Sequence, residues 1–220
     1  MSKFWVLIGS FSPLITTLQF TPNPPSLSLV SQFTAGGNPS WLLNSPKVPT
    51  TIYATDEGDT GSINSFTLNL GSGNLTKLAT VPTQGGAPTH LGFVNNGAAL
   101  GAANFGTGSA FIVNLDSTGS GQFSGGDSLV PFQGSGPLPN QASPHAHQVG
   151  MVYQSRSLPT SLQTALFFQV VPYGKEVLVA DLGSDKIWRL TQDGSTWSIK
   201  GSIDQPAGSG PRHLVVVGTS

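Results

Sequence analysis

Four histidines and three arginines hold most of this chain's capacity for charge chemistry near neutral pH. Two of them, His147 and Arg212, are candidates for chemistry. His147 ends the run Pro144-His145-Ala146-His147. An imidazole has an unperturbed pKa of ~6.5, so it can take a proton from an attacking water or hand one on. Arg212 stands between Pro211 and His213 after a Gly-Ser-Gly turn. A guanidinium presents paired donors that match a carboxylate or a phosphate. Singly, Arg212 could serve as an anion clamp and His147 as a proton carrier. The structural alternatives are an Arg that holds turn carbonyls and a His that bonds backbone.

His145 and His147 are two apart, so on a strand both face one way. His145 is therefore a second candidate for substrate contact. A His pair can also start a metal site, but no carboxylate or third His follows at a matching spacing. Neither a metal nor a cofactor is expected. His90 and His213 share the pattern Pro-x-His-Leu, and Trp41 holds that place in an earlier unit. Such recurrence reads as packing. Asp181 and Asp185 flank Leu182-Gly183-Ser184 and read as Asx-type turn carboxylates. Phosphate-loop, nucleophile-elbow and zinc-helix motifs are missing. The Gly-Ser runs at 119–126 and 134–136 read as loops.

The elements that must position these residues are strands. Short β-branched and aromatic runs recur between Gly, Pro, Asn and Asp. They cover Phe4–Ile8, Ile15–Phe20, Thr51–Thr55, Ile63–Leu68, Leu91–Val94, Ala110–Leu115, Glu176–Ala180, Ile187–Leu190, Trp197–Ile203 and Leu214–Val217. No long segment has helical periodicity. Charged residues are only 9%, while Gly (28) and Pro (17) are abundant, as suits an all-β chain of tight turns. Units open at Asn38, Ala87, Pro144 and Gly210, and the first two starts are 49 residues apart. That spacing fits the ~40–50 residues of a four-stranded propeller blade. The predicted fold is an all-β propeller of antiparallel blades, with residues 1–220 giving about three to four of them. Closed rings need about four to eight.

Residues 150–169 interrupt the third unit without strand alternation or turn chemistry. Joining Val149 to Val170 restores blade spacing. Two explanations stand side by side: a retained in-frame intron, and a real surface loop. Sequencing the transcript separates them.

Net charge is −1, with no Lys/Arg-rich run, so nucleic acid and anionic membranes are not expected partners. No apolar stretch is long enough to span a bilayer as a helix. Cysteine is absent, which removes disulfides and thiolate chemistry. This fits a cytoplasmic protein and leaves secretion open. Oligomeric state is not readable.

The motifs Asn38-Pro39-Ser40-Trp41-Leu42, Ile52-Tyr53-Ala54, Ala102-Ala103-Asn104-Phe105-Gly106, His145-Ala146-His147, Asp181-Leu182-Gly183-Ser184-Asp185-Lys186-Ile187-Trp188 and Gly208-Ser209-Gly210-Pro211-Arg212-His213-Leu214 come in a specific order. In that order they resemble the lactonase-type seven-bladed propellers. That family includes 6-phosphogluconolactonases and fungal carboxy-cis,cis-muconate cyclases. The resemblance covers a little over half of the family's domain and leans to the fungal branch. It implies lactone formation or hydrolysis on a small anionic substrate. It also implies a His at the place of His147, an Arg at the place of Arg212, and a Glu that would lie beyond Ser220. By the resemblance this is the leading part of a longer enzyme. A non-enzymatic propeller scaffold is the competing expectation.

Overall fold

The computed structural model describes residues 3–151 and 176–216. Their strands form four antiparallel sheets, each in chain order. The first holds β1 (Phe4–Ile8), β2 (Leu14–Pro22) and β3 (Pro25–Thr34). The second holds β4 (Leu42–Asn44), β5 (Thr51–Asp56), β6 (Ser62–Leu68) and β7 (Leu75–Pro82). The third holds β8 (Pro88–Val94), β9 (Ala99–Asn104), β10 (Ser109–Leu115) and β11 (Phe123–Pro131). The fourth holds β12 (Ala146–Met151), β13 (Glu176–Asp181), β14 (Lys186–Asp193) and β15 (Thr196–Asp204).

Burial explains which strands carry which residues. The second strands of the two middle sheets, β5 and β9, are buried along nearly their whole length, because sheets pack on either side. They therefore read as small or apolar runs rather than as alternation. The outer strands β3, β7 and β11 face solvent along much of their length and tolerate Ser, Gly and Pro.

The core lies between sheets. Ile15, Ile52, Ala54 and Phe66 join the first to the second. Tyr53, Ile63, Leu91, Phe93 and Phe111 join the second to the third. Ala103, Ile112, Phe132, Val149, Val179 and Leu190 join the third to the fourth, with Phe132 stacked on Trp188. At 25 cal/mol per Å2, each filled layer of this kind stabilises by several kcal/mol, and a sheet alone has none. The two end sheets accordingly show exposed apolar side chains, Phe4 and Ile8 on one and Ile199 and Ile203 on the other. Inner strands approach closely: a Cβ on Gly92 of β8 would stand 2.5 Å from the carbonyl oxygen of Val149 in β12.

The expected strand Leu214–Val217 differs. Residues 211–216 are not in a strand, and Val217 lies outside the described residues. Leu214 N donates instead to the side-chain oxygen of Gln148, because no described strand offers it a backbone ladder. Of the interruption expected at 150–169, Gly150 and Met151 belong to β12 and pair with Leu178 and Val177. Residues 152–169 lie outside the described residues. No helix among the described residues is long and apolar enough to cross a membrane.

Candidate functional site

His147 is placed by a β-bulge. Ala146 faces Asp181 and Gln148 faces Ala180, which leaves His147 as the extra residue of the inner strand. Thr89 is the extra residue of β8 in the same way, between Pro88 and His90. A bulge residue leaves the ladder and is re-aimed, which suits a functional side chain. The Thr89 hydroxyl donates to the backbone oxygen of His147 at 3.1 Å and so ties the two bulges together.

The His147 ring meets Phe105 edge-on at 5.9 Å and His213 edge-on at 5.1 Å. Its Nδ1 is buried without a protein partner. Desolvation, then the positive charge of Arg212, then His213, bring its pKa down to about 4, against opposing backbone hydrogen bonds. The imidazole is therefore neutral at pH 7. His145 stacks on Phe105 at 4.6 Å, and its Nδ1 lies 2.9 Å from the Phe105 carbonyl. That leaves Nε2 as its atom for a ligand.

Arg212 is exposed and follows a turn that a single carboxylate holds. Asp185 accepts from Gly208 N at 2.7 Å and from Gly210 N at 2.8 Å. It also accepts from the Gln141 amide at 2.7 Å. Burial opposes ionisation of Asp185, but the Gly210 and Gly208 bonds prevail and hold its pKa below the usual carboxylate value. Gln141, itself fully buried, also donates to the Leu182 carbonyl at 2.8 Å.

Asp181 does the corresponding work for the histidines. Its Oδ1 accepts from His145 N at 2.7 Å and from Gly183 N at 3.0 Å, and its Oδ2 accepts from Trp188 Nε1 at 2.8 Å. One turn, Asp181 to Asp185, thus anchors the segment that carries His147 and the segment that carries Arg212. Asp181 makes the Asx-type bonds the sequence suggested, whereas Asp185 reaches 23 and 25 residues along the chain. Gly183 is required where this turn meets the histidine segment: a Cβ there would stand 1.9 Å from the Ser143 oxygen.

The sequence reading treated His90 as packing. It is indeed buried, with its ring 4.0 Å from that of Trp41. Yet its Nδ1 has no protein partner. Desolvation first, then His213 and His147, lower its pKa to about 3. His90 therefore belongs to the same cluster as His147 and His213. The one clue in the sequence was that it shares a repeat position with the neighbour of Arg212. Among the described residues, no group of three or more His, Asp or Glu side chains could hold a metal ion.

Packed four-stranded sheets, with a His and an Arg joined at one end by a shared turn, raise the question of kinship. The profile "Lactonase, 7-bladed beta-propeller" matches residues 5–159 and 163–219. The chain belongs to this family. The chain is 30% identical over 212 residues to a probable 6-phosphogluconolactonase of Arthroderma benhamiae, covering 95% of this chain and 48% of the relative. To the 6-phosphogluconolactonase of Bacillus subtilis it is 25% identical, covering 97% of this chain and 56% of the relative. A crystal structure of a putative 6-phosphogluconolactonase from Bacteroides fragilis superposes with a TM-score of 0.74 at 26% identity, over 97% of this chain and 58% of that one. The chain thus spans about half the length of the lactonase propellers it matches, and its four sheets represent about half of their ring.

Proposed function

We propose that the His147–Arg212 end of this lactonase propeller carries out lactone chemistry on a small anionic substrate, in the direction of hydrolysis. The supporting observation is that His147 is held neutral with Nδ1 unpartnered, next to a guanidinium. Arg212 receives the substrate's carboxylate or phosphate. His147, already deprotonated, removes the proton from a water that attacks the ring carbonyl, and the ring oxygen leaves as the new hydroxyl. A neutral imidazole suits this role better than proton delivery to carbon, the step a muconate-type cyclisation needs. An anion on Arg212 would cancel the charge that depresses His147 and strengthen it as a base. His145 lies two residues away for a second substrate contact.

Hydrolysis of 6-phosphogluconolactone, followed by acid release against the spontaneous rate, tests this. His147→Gln should lower kcat by about 100-fold, as loss of a general base does. Arg212→Gln should chiefly raise KM. A wild-type rate no faster than the spontaneous one, under conditions where the chain is folded, removes the proposal.

The family's binding-scaffold alternative has one observation in its favour. Among the described residues, no carboxylate pairs with Arg212 or His147. Arg212-dependent binding of 6-phosphogluconate without turnover of the lactone would select it.

A further inference from the structure

His147 and Thr89 hold the same place in neighbouring sheets. Each is the extra residue of a bulge in the first strand of its sheet. The residue after it pairs one place before the end of the second strand: Gln148 with Ala180, and His90 with Ala103. Ser40 holds that place in the second sheet, since Trp41 after it accepts a backbone bond from Thr55, again one before the end of β5. The shared pattern Pro-x-His-Leu puts Arg212 there in the next unit, as it puts Thr89 there in its own. Consecutive units thus read Ser40, Thr89, His147 and Arg212 at one position. The two candidates for chemistry are the last of these, and Thr89 comes just before them.

A bulge residue has given up its place in the ladder, so the peptide that follows it is freer to rotate, and its side chain turns with it. Thr89 supplies a hold from the neighbouring sheet. Its hydroxyl donates to the His147 carbonyl at 3.1 Å. A hydroxyl has a single proton to give. The alternative acceptor, the Ala103 carbonyl of its own sheet, is further off at 3.5 Å. Thr89 is β-branched, so its χ1 is restricted and the hydroxyl is aimed rather than loose. Blade packing does not need this bond. Ala103, Ile112, Phe132, Val149 and Val179 already join the third sheet to the fourth. Ser40, at the same position one unit earlier, hydrogen-bonds the Thr55 hydroxyl and the Glu57 carboxyl within its own unit instead.

We propose that Thr89 is a positioning residue for His147: by holding the His147 carbonyl, its hydroxyl fixes where the imidazole stands relative to Arg212. The consequence for turnover rests on the reading of His147 as the base, whereas the hold itself does not. Reacting groups must be kept in an attacking geometry, and a misplacement of about 1 Å can cost about 100-fold in rate. Thr89 acts through His147 alone.

The variants are Thr89→Val, which keeps the branched shape and removes the donor, and Thr89→Ser, which keeps the donor. Thr51→Val is the control. The Thr51 hydroxyl also donates to a backbone carbonyl across units, that of Gly119, also at 3.1 Å, and it lies at the opposite end of β5 from Thr55. The first readout is an NMR titration of the His147 ring carbons in the full chain. Desolvation and Arg212 are the leading causes of its low pKa, so a ring released from its place should titrate higher in Thr89→Val. Thr89→Ser and Thr51→Val should titrate as wild type. The second readout is hydrolysis of 6-phosphogluconolactone. Thr89→Val should lower kcat about tenfold, a fraction of the loss that a full ångström brings, and leave KM within about twofold. Thr89→Ser should restore kcat. Should Thr89→Val not fold, Thr89→Ala carries the same test. A His147 that titrates in Thr89→Val as in wild type overturns the inference. So does an equal change in Thr51→Val, which would mark a general loosening. A higher titration in Thr89→Val alone, in a chain without lactone turnover, upholds the hold and removes the hydrolytic reading.

Discussion

Asp185→Asn isolates the means by which Arg212 is held. Asp185 has φ 54°, a left-handed conformation that Asn also adopts, so the backbone need not change. The replacement keeps one acceptor oxygen and turns the other into a donor. If the oxygen stays toward Gly210 and Gln141, the new amide faces Gly208 N–H, and the 2.7 Å bond there is lost. If the amide flips, the bonds to Gly210 and Gln141 are lost instead. Either way at least one charge-assisted bond disappears, worth about 1.5–3 kcal/mol. A donor is also left facing a donor. The hold on residues 208–210 should therefore weaken by about 2–3 kcal/mol. Arg212 is two residues further on, and its charge is the second cause of the low His147 pKa, after desolvation. Loosening the turn should carry the guanidinium away and let that pKa rise from about 4 part of the way toward ~6.5. The assay is an NMR titration of the His147 ring carbons in wild type and Asp185→Asn, with Arg212→Gln as the reference for complete loss of the charge. An Asp185→Asn protein that is destabilised but titrates His147 as wild type does would refute the coupling of the two segments through this turn.

His90 gives a prediction for acid stability. Its folded pKa of about 3 is below the unfolded value, so the unfolded chain binds a proton that the folded chain refuses. Stability should fall as pH drops from ~6.5 toward about 3, with a slope of up to ~1.4 kcal/mol per pH unit from this group. His90→Gln should flatten that part of the curve in urea unfolding, and an unchanged slope would contradict the burial of a neutral ring. Gly183→Ala should cost about 2–4 kcal/mol or prevent folding, read as a fall in the thermal midpoint, since its Cβ would overlap the Ser143 carbonyl. Glu176→Gln, which breaks pairs with Arg189 and Lys200 on a partly exposed surface, should cost about 1 kcal/mol or less.

The blade pattern was legible because a strand buried on both faces must be small or apolar along its whole length. Thr51–Asp56 and Ala99–Asn104 show this. The outer strands Pro25–Thr34, Leu75–Pro82 and Phe123–Pro131 were not legible as elements. They lie on the outside of each sheet, where Ser, Thr, Gly and Lys are as acceptable as Val. Strand Leu214–Val217 misled in the opposite sense. Its apolar run has the strand propensity, but a strand needs a paired neighbour, and the residues described here make a side-chain bond to Gln148 instead.

The sequence by itself determined the all-β class and the repeat, since these depend on residue type and spacing within one blade, and it offered His147 and Arg212 only as candidates through a family resemblance. Tertiary structure alone decided how they are held and what state they are in. The neutrality of His147 arises from burial and from Arg212, 65 residues away. The membership of His90 arises from its tilted ring contact with Trp41, 49 residues back, immediately before the first strand of the neighbouring sheet. Electrostatic and ring contacts of this kind pass between blades. Which faces meet is set by the radial packing of whole sheets, and no local pattern along the chain encodes the distance between two residues on different sheets.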